Sequence, residues 1–218
     1  MSALKRESER ARAIFDRLKP LALDWYPTVM SRHYGQPFKA LISAMLSAQT
    51  REEQTTAASE SLFALADTPA GVLALSDEQI LSAISRVSYP GSKLGYLRDI
   101  CARLVENGGE VPRTVDELIA YKGVGWKVAT LTLLIAYGRD EDIPVDVHVH
   151  RIGIRQGFVT PDTKKPPSVN DQLKAILPRA IWAEWNPLMV QFGREVCQPR
   201  YPRCKVCPVY DLCPRIGV

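Results

Sequence analysis

The apolar positions of this chain recur at helical spacing nearly everywhere and at strand spacing almost nowhere. Ala3 to Leu18 sets apolar residues among charges as an amphipathic helix does, and it stops before Pro20. Leu21 to Gln36 is a mixed connector containing Pro27 and Gly35. From Phe38 the chain is apolar up to Ala48, turns polar all at once at Gln49-Thr-Arg-Glu-Glu-Gln, and resumes as a second helix ending near Phe63. Thr68-Pro69 and Ser76-Asp77-Glu78 are successive helix starts. Tyr89-Pro90-Gly91-Ser92 reads as a turn, Leu94 to Glu106 as a helix and Asn107 to Pro112 as a loop. Thr114 is placed to cap Val115 to Tyr121, with Glu117 completing a capping box. Val128 to Tyr137 has the length of three helical turns, with Gly138 to end it. Pro161 to Ser168 is the longest irregular stretch, and Val169–Ile176, Ala180–Trp185 and Leu188–Val196 are the last helices. The pattern predicts an all-α protein of short helices without internal repeats.

Composition narrows this only a little. With 46% apolar and 24% charged residues among 218, the chain has the profile of one or two globular domains with a buried core. A net charge of +4 is compatible with nucleic acid but does not require it. No apolar run reaches the ~18 residues that a membrane span needs. Met1 to Lys19 alternates charges with apolar residues, unlike a signal peptide, so a cytosolic chain is expected.

The densest chemistry lies between Tyr121 and Arg151. Gly123-Val124-Gly125 is a two-glycine turn at a helix start, where unpaired N–H groups attract anions such as phosphate. Lys127 falls in the first turn of that helix, where the macrodipole disfavours a cation. It is either a solvated lysine beside phosphate or, if desolvated, an amine nucleophile suited to Schiff-base chemistry. A helix from Val128 to Tyr137 rises about 15 Å. The following loop to Val145 spans up to roughly 26 Å, enough to return Asp146 to the neighbourhood of Lys127. Asp146 precedes Val-His-Val-His-Arg as an N-cap, so capping alone would explain it as well.

Four of the five cysteines lie in the last 22 residues, spaced Cys197-x6-Cys204-x2-Cys207-x5-Cys213. In a reducing compartment such clustering points to metal rather than disulfides. Zinc with four cysteines commonly uses two C-x2-C pairs, and only one close pair exists here. A [4Fe–4S] cubane accepts wider spacing. Cys101 stands apart as a small buried hydrophobe. Arg194, Arg200, Arg203, Lys205 and Arg215 crowd around the cysteines as phosphate contacts or as a solvated basic tail.

Lys122-Gly-Val-Gly-Trp-Lys resembles the helix-hairpin-helix of the endonuclease III family of DNA glycosylases, and Pro144-Val-Asp-Val-His matches that family's aspartate segment. The likeness runs from about Phe38 to Cys213. It implies a two-lobed all-α fold: a six-helix lobe with the hairpin at 30–143, and an iron–sulfur lobe from 1–29 and 144–218. DNA would lie across the cleft between them. It implies a base-excision repair glycosylase with AP lyase activity, acting on oxidised pyrimidines and abasic sites in duplex DNA. Lys127 and Asp146 would be catalytic, and Cys197, Cys204, Cys207 and Cys213 would hold a [4Fe–4S] cluster. Gln49, Tyr89, Lys122, Gly123, Val124, Gly125 and His148 would touch DNA, with Gln49 filling the gap left by a flipped nucleotide. A monomer in a prokaryotic cytoplasm, at the nucleoid, is implied too. Three positions depart from the family: Tyr89 replaces a leucine in the second insertion loop, Lys122 replaces a proline, and Trp126 replaces a commonly basic residue. They leave two further readings open, a nearly silent protein that binds damaged DNA and a glycosylase for another class of lesion.

Overall fold

The computed structural model describes residues 2–21 and 33–218. As expected, all regular structure among them is helical. The chain divides into two compact units, Pro27–Arg139 on one side and Met1–Tyr26 with Asp140–Val218 on the other. Helix α1 (Ala3–Leu18) starts at Ser2, whose side chain accepts from the Lys5 N–H, and it buries Ala11, Ile14, Phe15 and Leu18.

The unit Pro27–Arg139 holds α2 (Pro37–Leu46), α3 (Glu52–Leu65), α4 (Pro69–Ala74), α5 (Asp77–Ala83), α6 (Pro90–Glu106), α7 (Val115–Ile119) and α8 (Trp126–Tyr137). Its core forms around α2 and α8, the two most apolar helices. Helix α8 is buried along nine consecutive residues, Val128 to Ala136, so it has no solvent face. Its two buried threonines return their hydroxyls to the helix backbone, Thr130 to the Trp126 carbonyl at 2.8 Å and Thr132 to the Val128 carbonyl at 2.7 Å. Gly138 ends α8 in the left-handed conformation at φ 65°. Around this centre the short helices begin as their caps dictate. Thr68 caps α4, and Ser76 with Gln79 makes a full capping box on α5.

The other unit adds to α1 the helices α9 (Val147–Arg155), α10 (Pro166–Ile176) and α11 (Trp182–Glu195), followed by the cysteine loop with its single 3-10 turns Cys204–Val206 and Tyr210–Leu212. Trp185 and Phe158 pack in its interior, with their ring centroids 6.3 Å apart.

The sequence pattern misplaces several boundaries. Tyr89-Pro90-Gly91-Ser92 is not a free-standing turn: Pro90 is the first residue of α6, a position where a missing N–H costs nothing. Likewise α8 begins at Trp126, and Pro166 opens α10 inside the stretch expected to be a loop. The helices expected at Ala180–Trp185 and Leu188–Val196 are one, α11, which carries Pro187 in its interior. Thr114 does cap α7, but Glu117 takes the Thr114 hydroxyl at 2.6 Å instead of completing the box. Most of the connector Leu21–Gln36 lies outside the described residues.

Two glycines in the left-handed region separate backbone conformation from packing. A Cβ on Gly138 would meet open space, whereas one on Gly123, at φ 79°, would overlap the Tyr96 ring. Gly138→Ala should destabilise the protein by roughly 1–2 kcal/mol through conformation alone. Gly123→Ala should add an overpacking cost of about 1–3 kcal/mol. Urea denaturation of the two variants checks the order; equal losses would refute the assigned Tyr96 contact.

Candidate functional site

The hairpin Tyr121–Gly125 is built on α6. Tyr96, Asp99 and Arg103 lie at i, i+3 and i+7 on one face of that helix. Gly123 packs on the Tyr96 ring, the Lys122 N–H donates to Asp99 Oδ2 at 3.3 Å, and Arg103 stacks over the Tyr121 ring at 4.2 Å. Val124 is buried and its N–H donates to the Tyr121 carbonyl, which closes the turn. Gly125 is the N-cap of α8 and supplies no side-chain cap. The first N–H groups of a buried helix therefore open beside the hairpin, the arrangement that binds phosphate. The exposed Lys122 ammonium stands 3.4 Å from Asp99 Oδ1. Lys127 is the second residue of α8 and is half-buried. Beside it, Trp126 is also half-buried, with its indole Nε1 buried and unpartnered.

In the same unit, Gln49 and Tyr89 occupy two neighbouring turns. Both are exposed, and both adopt the left-handed conformation that non-glycine residues avoid, at φ 55° and 57°. The turns are cross-linked. Ser88 Oγ donates to the Gln49 carbonyl at 2.8 Å, and the Ser88 N–H donates to Thr50 Oγ1 at 3.1 Å. Lys93, 4% exposed, donates from Nζ to the Leu46 carbonyl at 2.6 Å, the Ala48 carbonyl at 2.8 Å and Thr50 Oγ1 at 2.9 Å. Burial pushes this ammonium down to about 8, so it remains mostly charged at neutral pH.

In the unit that includes Asp140–Val218, Asp146 is the N-cap of α9. Its Oδ1 accepts from the His148 and Val149 N–H groups, both at 2.9 Å. Buried asparagines hold the segment before it. Asn170 Oδ1 accepts from the Ile143 N–H at 2.9 Å, and Asn186 Nδ2 donates to the Pro144 carbonyl at 2.8 Å. His148 Nδ1 accepts from Arg151 Nη2 at 3.2 Å, against Gly193, where a side chain would clash. His150, to which the sequence assigns no role, meets the Thr163 carbonyl at 2.6 Å.

Helix α9 also grips the cysteine loop. Arg155 Nη1 donates to Cys197 Sγ at 3.3 Å and to the Gln198 carbonyl at 2.7 Å, and Arg151 Nη2 donates to the Cys197 carbonyl at 3.0 Å. Cys197, Cys204, Cys207 and Cys213 are free thiols that line one cavity. Burial pushes the Cys207 and Cys213 thiols above their ordinary value. Among the described residues, no three His, Cys, Asp or Glu side chains gather closely enough to hold a single metal ion. Gln156 also lines the cavity. It is 1% exposed, and neither side-chain polar atom has a partner. An orphaned amide is costly, so a wall containing one fits a guest that takes or gives hydrogen bonds. Four thiols and this amide fit a cubane cluster in the chemistry of their donors. Of the cations around the loop, Arg194, Arg200, Arg203 and Lys205 are exposed. Arg215 instead turns inward, to the Tyr210 and Cys213 carbonyls.

Sequence reasoning missed Lys93, Arg151, Arg155 and Gln156. A signal existed for the first. Lys93 is in register with Leu97, Ile100, Cys101 and Leu104, the buried stripe of α6, and a lysine in an apolar stripe needs acceptors. For the arginines and the glutamine, nothing local separates them from surface residues of an amphipathic helix.

A family model described as HhH-GPD superfamily base excision DNA repair protein matches residues 42–179. Endonuclease III of Thermotoga maritima is 36% identical over 178 residues, covering 81% of this chain and 82% of that protein. Endonuclease III-like protein 1 of Mus musculus is 37% identical over 178 residues, 81% of this chain. The chain spans only 59% of that mouse protein and 58% of its Bos taurus counterpart. Among solved structures, a non-covalent endonuclease III–DNA complex is similar with a TM-score of 0.83 at 30% identity, covering 99% of this chain and 97% of that one. A thermostable thymine-DNA glycosylase shares the fold at 18% identity, with a TM-score of 0.84. The chain belongs to the HhH-GPD superfamily of base excision DNA repair proteins and, within it, to the endonuclease III family.

Proposed function

We propose that this chain is a DNA glycosylase with AP lyase activity that removes oxidised pyrimidines from duplex DNA and cleaves abasic sites. One observation carries the reading: Lys127 stands at the start, without a side-chain cap, of a helix buried from Val128 to Ala136, directly after a glycine turn suited to phosphate. The hairpin residues Lys122, Gly123, Val124 and Gly125 hold the backbone of the strand. Gln49 and Tyr89 enter the duplex where the damaged nucleotide leaves it, and His148 supports the strand near Asp146.

Asp146 assists the amine of Lys127 or stabilises the cationic sugar. The amine attacks C1′, and the bond from C1′ to the base breaks, with the electron pair leaving on the base. The sugar ring opens to a Schiff base, which acidifies the C2′ hydrogen. Loss of that proton expels the 3′ phosphate, and the strand is cut. Support for the aspartate comes from its fixed place, held by its own N–H contacts and by Asn170 and Asn186 upstream. A silent protein that binds damaged DNA is not favoured by the likeness to endonuclease III proteins and to an endonuclease III–DNA complex.

The four cysteines, on this reading, hold a [4Fe–4S] cluster that ties the last turns of the chain together and presents Arg200, Arg203 and Lys205 to phosphates. By family likeness the protein acts as a monomer on chromosomal DNA in a prokaryotic cytoplasm. No helix among the described residues is long and apolar enough to cross a membrane.

Borohydride should trap the protein covalently on an abasic duplex, and Lys127→Ala should lose the trapped species entirely. Trapping by the alanine variant would assign the chemistry to another amine. Protein purified without oxygen should contain iron and inorganic sulfide in equal amounts, and Cys207→Ser should lose both; zinc in their place would overturn the cluster assignment.

A further inference from the structure

Lys93 lies outside the hairpin, and the chemistry above does not use it. It is nonetheless a buried ammonium with every N–H donated. Its three acceptors all belong to the end of α2 and the turn that carries Gln49. The Leu46 carbonyl is one that the end of α2 leaves over, and a cation is favoured there. Through its backbone N–H the same residue donates to the Tyr89 carbonyl at 3.1 Å, closing the first turn of α6. One residue thus touches both turns. Ser88 supplies the remaining links, with Oγ on the Gln49 carbonyl and its N–H on Thr50 Oγ1.

For fold stability alone, an apolar residue would serve the buried stripe of α6 better, since a desolvated ammonium is a poor core component. What the ammonium adds is a fixed exit for the chain from α2. Gln49 follows in a conformation that an unbraced turn would abandon. We propose that Lys93 is a positioning residue: with Ser88 it locks Gln49 and Tyr89 into one rigid pair, so that both enter the duplex together instead of as independent loops. This rests on the reading of Gln49 and Tyr89 as the inserting residues. Preorganising the pair removes an ordering cost from damage recognition and leaves the chemistry at Lys127 alone.

The test uses full-length Lys93→Met and Ser88→Ala with four measurements. These are urea stability, affinity for a duplex carrying a tetrahydrofuran abasic analogue against an undamaged duplex, fluorescence of 2-aminopurine opposite the analogue, and borohydride trapping on a single-stranded abasic oligonucleotide. A single strand needs no insertion. Lys93→Met should bind the analogue duplex ~10-fold more weakly and Ser88→Ala ~3-fold, with a smaller 2-aminopurine signal, while undamaged-duplex affinity and single-strand trapping stay within about twofold. Unchanged analogue affinity and fluorescence in folded variants would overturn the proposal. So would a loss of single-strand trapping in step with the loss on duplex, which marks a merely structural role. Should Lys93→Met fail to fold, Ser88→Ala decides. A wild-type chain that traps nothing removes the lyase reading, and the analogue-to-undamaged ratio still judges Lys93. A wild-type chain with no preference for the analogue removes insertion, and this proposal with it.

Discussion

A helix without a solvent face cannot rotate or slide without breaking its packing, and α8 is such a helix. Its nine consecutive buried residues fix where its first turn emerges. Everything proposed for the reactive amine depends on that fixity, because Lys127 is the second residue of the helix and the hairpin is the turn that leads into it. The cost of an uncapped, apolar start is met by the surrounding core, in which α2 runs against α8 and α6 supports the hairpin from below. A solvent-exposed helix carrying the same residues at its start would fray there, and neither the phosphate site nor the lysine would keep its place.

Much of this was legible from the residues. Glycine spacing and the apolar run gave the hairpin and α8, Ser76 and Thr68 announced their helices, and Asp146 before Val-His-Val-His announced an N-cap. Cysteine spacing singled out the loop around the cavity. Prolines were the main source of misplaced boundaries: Pro90, Pro166 and Pro187 punctuate the sequence as breakers, yet two of them open helices and the third sits within one. The bracing groups escaped because their meaning is tertiary. Lys93 betrayed itself only by its register with the apolar stripe of α6, which does not say which carbonyls accept from it, and Arg155 is separated by 42 residues from the cysteine that it touches.

Helix α9 does for the cysteine loop what α6 does for the hairpin. Its N-terminal end is capped by Asp146, while Arg151 and Arg155 hold the carbonyls of Cys197, Gln198 and Pro199. The proposed catalytic carboxylate and the loop that would carry the cluster are thus two ends of one short rigid body. Loss of the cluster would be felt first at Cys197 and then along α9. On the proposed reading, that gives a cluster outside the bond-breaking chemistry a physical route to the aspartate.

The left-handed conformations of Gln49 and Tyr89 have a further consequence. Each costs an L-residue roughly 1–2 kcal/mol that glycine would not incur. The chain thus forgoes thermal robustness to keep two side chains where only they are useful. Selection for heat tolerance alone would drift toward glycine at both sites and yield a sturdier molecule without the two side chains proposed to enter the duplex. On the proposed reading, heat resistance and damage recognition are, at these two turns, opposing demands on the same few dihedral angles.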